Sequence, residues 1–368
     1  MTKRQLILED GKVFTGTAFG SSDTSIGEVI FNTGMTGYQE VISDPNYYGN
    51  IAVMTYPSIG TYGINRDDFE SITPFIKGMI VKELNDEPSN FRSEESLHTF
   101  LQEHRIPGIA GIDTRMLTRI LRKKGTMKGI ITDLHHSKEG ALKDLSVEKE
   151  EQLPVKETSI TKPYIVPGQD TRIVVIDLGM KHSILHELMK RNCHVTVVPY
   201  DYSLENILRF KPDGVLISNG PGNPANIAHT IATVKTLIGK IPLFSIGLGH
   251  QIFAIACGAK TSKLKVGHYG VNYPVKDETN QKSWITTQSR HYIVEENSLK
   301  NTDLQITFRS LNDNTIEGLM HKKHPAFSVQ FNPEGAPGSN ETGFLFDEFL
   351  QMIEEYLQKN GGSNYAEK

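Results

Sequence analysis

The run Pro242-Leu243-Phe244-Ser245-Ile246-Gly247-Leu248-Gly249-His250-Gln251 reads as a strand, a tight turn and the start of a helix. This order builds an elbow that lifts one side chain off the end of a sheet, a geometry suited to presenting a nucleophile. The residue at the tip is Gly247, which has no side chain to lift. The elbow decides the fold, and the missing side chain decides whether chemistry is possible there.

The residues ahead of the elbow repeat the same order. Arg172-Ile173-Val174-Val175-Ile176-Asp177 is an uninterrupted apolar strand, followed by a helical pattern over 183–191 and a second strand over 194–198. A helix near 204–210 leads into Gly214-Val215-Leu216-Ile217-Ser218, then a helix over 226–237 and the strand 243–246. Continuous apolar strands separated by helices predict an α/β fold, a mostly parallel sheet with helices on both faces. Ligands of such sheets sit beyond the carboxyl ends of the strands. Both the elbow and Ser218-Asn219-Gly220-Pro221-Gly222-Asn223-Pro224 fall there.

Further upstream, 137–170 turns charged and then proline-bearing, which predicts a linker with poor prospects for a buried core. Ahead of it, short apolar runs such as Ile51-Ala52-Val53-Met54 and Gly78-Met79-Ile80-Val81 are split by Gly and Pro turns. Helical patterns are confined to 94–104 and 116–123, so a mixed, strand-rich N-terminal domain is expected. The expected organisation is a first domain over 1–136, a linker over 137–170, the α/β domain over 171–360 and a tail over 361–368.

A chain of 368 residues is long enough for two domains with cores of their own, and 38% hydrophobic with 22% charged residues is a globular composition. The net charge of −4 gives no electrostatic reason to expect nucleic acid or an anionic membrane as partner. Cys193 and Cys257 are too few for a disulfide framework or a thiolate metal site, and no metal is expected. No stretch approaches the roughly 20 apolar residues of a membrane span. The opening apolar run is broken by acids after three residues, unlike a secretory signal, so a reducing cytoplasm is the expectation. The basic helix over 116–124 suggests a solvated face or a partner contact.

Several separated segments carry a resemblance over nearly the whole length. Phe31-Asn32-Thr33-Gly34-Met35-Thr36-Gly37-Tyr38-Gln39-Glu40, Gly63-Ile64-Asn65-Arg66-Asp67-Asp68-Phe69-Glu70 and Gly108-Ile109-Ala110-Gly111-Ile112-Asp113-Thr114-Arg115 lie in the first half. The Ser218–Pro224 loop, the elbow and Phe327-Ser328-Val329-Gln330-Phe331-Asn332-Pro333-Glu334 lie in the second. Together they resemble the small, glutamine-hydrolysing subunit family of carbamoyl-phosphate synthetases, whose second domain is a class I glutamine amidotransferase. The resemblance implies a role in arginine or pyrimidine synthesis, with no cofactor bound by this chain. ATP and bicarbonate would be handled by a large-subunit partner, in keeping with the absence of a G-x-x-x-x-G-K-[ST] loop.

In that family a cysteine at the elbow attacks the glutamine amide, a histidine moves the protons, and a glutamate two residues later orients the histidine. Those positions are Gly247, Asn332 and Glu334 in this chain. The resemblance therefore implies that nucleophile and base are lost and the orienting acid kept, an expectation of a dead glutaminase site. Loss of the nucleophile alone costs about 10⁶ in turnover in comparable hydrolytic triads. The substrate pocket differs too: Asn46 stands where the family has serine, and Gln288-Ser289-Arg290-His291-Tyr292 replaces Gln-Asn-His-Gly-Phe. Gly220, Gly222, Leu248 and Gln251 match the family's glutamine contacts, though each also suits the fold. Three readings follow: a structural or regulatory partner of an ammonia-using large subunit, a free-standing protein whose altered pocket binds another ligand or partner, and an enzyme repurposed around Ser245, His291 or Glu334. Cys257 and His250 are expected to be structural.

Overall fold

The computed structural model describes residues 2–148 and 153–360; the expected tail over 361–368 lies outside them. Two units emerge, Met1–Glu151 with Lys265–Gly270, and Gln152–Leu264 with Val271–Lys368.

In the first unit the strand-rich expectation resolves into a closed barrel. Its strands are β1 (Lys3–Leu8), β2 (Val13–Gly20), β3 (Ser25–Asn32), β4 (Asn50–Met54), β6 (Gly78–Val81), β8 (Pro107–Ala110) and β9 (Met127–Asp133). A short parallel pair, β5 (Ser58–Ile59) with β7 (Glu83–Leu84), lies outside it. The barrel order is β1-β2-β8-β6-β4-β3-β9, closed where Leu6 faces Ile131 across the β1–β9 pair. The period of two sorts the side chains. Leu6, Leu8, Val29, Ile51, Ile80 and Ile131 join one apolar cluster. The alternate residues Ile30, Ala52 and Met79 join another with α1 (Tyr38–Ser43) and α2 (Leu97–Glu103).

Helix α3 (Thr114–Lys124) starts where the Asp113 carboxylate accepts the Met116 amide at 2.8 Å, and it buries Leu117 and Leu121. Its other face exposes Arg115, Arg119, Arg122, Lys123 and Lys124. Like charges three and four residues apart oppose the helix by about 0.2–0.5 kcal/mol per pair.

The linker expectation for 137–170 needs correction. Ser137 caps α4 (Lys138–Val147) by accepting the Gly140 amide at 3.0 Å, and Ala141 and Leu145 are buried with Ile7 and Ile130. Farther on, α5 (Val155–Thr158) buries Val155 completely, and β10 (Tyr164–Val166) pairs with a strand of the second unit's sheet. A few apolar residues spaced among charges suffice to dock each element, and average composition hides them.

The second unit is built on β10, β11 (Arg172–Asp177), β12 (His194–Pro199), β13 (Gly214–Ile217), β14 (Leu243–Ile246), β15 (Thr261–Asp277), β16 (Ser283–Val294), β17 (Leu304–Ser310), β18 (Ile316–His321) and β19 (Ala326–Val329). Their order is β10-β12-β11-β13-β14-β19-β18-β17-β15-β16. The stretch from β12 to β19 is parallel, as the apolar strand runs predict. An antiparallel arm continues it through β18 and β17. Neighbouring residues of β11 point to opposite faces. Val174 and Ile176 pack in a cluster with residues of α7 (Leu204–Arg209), α8 (Ala228–Leu237) and α9 (Leu248–Ala256). Ile173 and Val175 pack in one with residues of α6 (His182–Lys190) and α10 (Phe344–Lys359). Helices thus cover both faces. No helix among the described residues is long and apolar enough to cross a membrane.

Candidate functional site

The elbow forms where the sequence places it. Fully buried β14 ends at Ile246, α9 begins at Leu248, and Gly247 between them holds φ +58° and ψ −110°. Such angles are open to glycine and strained for any residue with a Cβ. The Gly247 amide donates to Val329 O at 2.9 Å, which pins the tip to the end of β19. A Cβ built at Gly247 would lie 3.2 Å from Asn219 Cβ and 4.0 Å from Gln330 O. The position therefore faces the 218–224 loop on one side and the segment after β19 on the other.

That loop is held from beneath. The Ser218 hydroxyl accepts the Leu178 amide at 2.9 Å, and the Asn219 side chain accepts from Lys181 N at 3.2 Å while donating to Gly179 O at 3.0 Å. Gly220 and Gly249 permit close packing: a Cβ would meet Leu178 O at 2.1 Å in the first case and Ile217 O at 2.4 Å in the second. Gly222 has φ +98° and lies beside Pro154. These glycines have structural reasons to exist in this chain whatever the site binds. Leu248 is buried at the start of α9. The Gln251 amide donates to Tyr292 O and to Gln330 Oε1, both at 2.9 Å, tying the first turns of α9 to β16 and to the segment after β19.

Asn332 is buried two residues past Gln330, its backbone amide donating to Thr287 O at 2.9 Å. Its Nδ2 has no hydrogen-bond partner among the described residues. A carboxamide in this place can hydrogen-bond but cannot exchange a proton near neutral pH. Glu334 has a partner that the sequence does not announce. Lys181 Nζ lies 2.7 Å from its Oε1 with both side chains fully buried, and the same ammonium donates to Ala336 O. The Glu334 carboxylate, expected as the orienting acid, is half of a buried ion pair. Lys181 ends the run Asp177-Leu178-Gly179-Met180-Lys181, where a lone lysine carries no signal of its partner.

The segment 288–292 is held within the sheet. Gln288 to Tyr292 is part of strand β16. Arg290 is buried in an ion pair with Glu317, its Nη1 2.8 Å from Glu317 Oε2. Gln288 donates to the same carboxylate oxygen at 3.1 Å. Ser289, His291 and Tyr292 are half-buried on that strand. Asn46 belongs to the first unit, in a short 3-10 turn whose Asp44 side chain accepts the Asn46 amide at 2.9 Å.

Other nucleophilic or proton-transferring groups near the elbow are poorly placed for chemistry. Ser245 is fully buried within β14. His250 is enclosed, its Nδ1 2.9 Å from Ser328 Oγ, and burial with nearby Arg290 pulls its pKa down to about 3. Its imidazole is neutral and walled in. Burial pushes the Cys257 thiol up to about 12, which keeps it from forming thiolate at neutral pH.

Comparison with known proteins identifies the family. Residues 6–131 match the family described as carbamoyl-phosphate synthase small chain, CPSase domain, and residues 174–352 match glutamine amidotransferase class-I. The chain is 56% identical over 366 residues to the carbamoyl phosphate synthase small chain of Oceanobacillus iheyensis, covering 100% of both. It is 55% identical over 352 residues to the carbamoyl phosphate synthase pyrimidine-specific small chain of Halalkalibacterium halodurans, covering 96% of this chain and 97% of that one. Among solved structures, a glutamine amidotransferase from Thermotoga maritima aligns with TM-score 0.37 and 17% identity, over 52% of this chain and 86% of that one. With both domain families in order and more than half of all residues shared end to end, the chain belongs to the carbamoyl phosphate synthase small chain family.

Proposed function

We propose that this chain is a small chain without glutamine hydrolysis, acting as the structural or regulatory partner of a carbamoyl-phosphate synthetase large subunit that draws on free ammonia. The observation that carries the reading is the elbow itself. Its backbone keeps the geometry of a nucleophile turn, and its tip is a glycine. A thiolate attack needs both the sulfur and a base to raise its population, and Asn332 supplies no base. The intact scaffold around the elbow favours a retained role in assembly over a free-standing one. ATP and bicarbonate would bind the large subunit, leaving this chain without a cofactor. No partner is expected among nucleic acids or membranes, and the chain would act in the cytoplasm.

The test is reconstitution with the large subunit of the source organism, supplying either ammonium or glutamine as nitrogen donor. Carbamoyl phosphate should form with ammonium and not with glutamine, and this chain should alter the ammonium KM or the stability of the large subunit. Glutamine serving as well as ammonium would overturn the proposal.

A further inference from the structure

Helix α3 carries Arg115, Arg119, Arg122, Lys123 and Lys124 and no acid within its eleven residues. Lys124 pairs with Asp10 at 2.8 Å. Arg115, Arg119, Arg122 and Lys123 are exposed and make no ion pair among the described residues. Positions 115, 119 and 122 follow helical spacing, so the three guanidiniums share one face opposite the buried Leu117 and Leu121. Met116, 48% exposed, neighbours them.

The helix gains nothing from this pattern by itself. Cations near its C-terminus suit the dipole, but Arg115 sits in the first turn, where positive charge is disfavoured. Arg119 has like charges three and four residues on. A stripe that opposes its own helix points to a use outside it.

We propose that this arginine face of α3 docks a carboxylate-rich surface of the large subunit, an inference that rests on the partnership proposed above. Guanidinium forks match carboxylates in bidentate geometry, and arginine and methionine are enriched at protein interfaces. The chain as a whole carries a charge of −4, so the patch is a local exception on an acidic protein. That balance disfavours nucleic acid, for which long-range attraction would be needed.

The experiment uses the full-length chain and the purified large subunit of the source organism. Binding is measured by calorimetry from low salt to about 0.5 M, where exposed charges are screened. The combined variant R115Q/R119Q/R122Q should bind about tenfold or more weakly and lose much of the salt dependence. Its own melting temperature should hold or rise, since like-charge repulsion is removed, which separates lost docking from lost folding. The variant R115K/R119K/R122K should keep the salt dependence with intermediate affinity. Unchanged affinity and salt slope in the glutamine variant, with the unaltered chain binding normally, would overturn this inference and leave the partnership standing. Failure of the unaltered chain to bind at low salt would overturn both. Salt-sensitive binding of a duplex oligonucleotide that competes with the large subunit would overturn the choice of a carboxylate surface.

Discussion

Replacing Gly247 with alanine isolates the backbone of the elbow from its chemistry. The tip holds φ +58° and ψ −110°, where a Cβ introduces strain worth about 1–3 kcal/mol. The new methyl group would also meet Asn219 Cβ at 3.2 Å, tighter than ordinary contact, and Asn219 is fixed at both ends of its amide, so it yields little. At a compatible backbone the same change would stabilise by about 0.4–1 kcal/mol through the unfolded chain, so the sign of the effect is itself diagnostic. Taking about 2 kcal/mol as the centre of the range, and about 2–4 °C per kcal/mol for a unit of this size, the melting transition should fall by roughly 4–8 °C. Gly247→Cys should move the same way. Differential scanning calorimetry and urea unfolding of the full chain would measure both. A Gly247→Ala variant as stable as the parent, or more stable, would mean that the turn is relaxed and that glycine is not held there by backbone geometry.

Other perturbations test the surrounding network. Lys181→Met should destabilise by about 3–5 kcal/mol in urea unfolding, because it leaves the Glu334 carboxylate buried without its ammonium; a loss under about 1 kcal/mol would show that water reaches the pair. His250 is neutral in the folded state with a pKa of about 3, below the ordinary 6.5, so the unfolded chain takes up this proton first. Its contribution is fully present above about pH 6.5 and is lost as pH falls towards about 3, at roughly 1.4 kcal/mol per pH unit for one proton. His250→Gln should flatten that acid limb in pH-dependent unfolding, and an unchanged slope would place the proton elsewhere. Gly247→Cys with Asn332→His should release glutamate measurably faster than either single change, a non-additive gain expected of coupled residues. Equal activity from Gly247→Cys alone would reveal a base already in place.

The α/β unit was legible because its strands are buried on both faces and therefore read as unbroken apolar runs. Arg172 to Asp177 and Leu243 to Ile246 coincide with β11 and β14. The barrel of the first unit was legible only as strand-rich, since closure depends on the distant pairing of β1 with β9, which no local pattern encodes. Helix α4 was hidden because two apolar residues, Ala141 and Leu145, dock it amid a charged run. At the site, the elbow itself was readable directly, with strand, turn and helix start falling where the residues place them. The buried partners were not: Lys181 meets Glu334 across 153 residues, and Arg290 meets Glu317 across two strands of the sheet. An isolated cation in sequence looks the same whether it faces solvent or a carboxylate.

Glutamate release from isotopically labelled glutamine, followed for hours by NMR with the chain alone and in the presence of the large subunit, addresses the central claim most directly. Without a thiol at position 247 or an imidazole at 332, release should stay at the level of a buffer control in both cases. Sustained release above that control, abolished by Ser245→Ala or Asn332→Ala, would contradict the claim and establish a working hydrolytic centre.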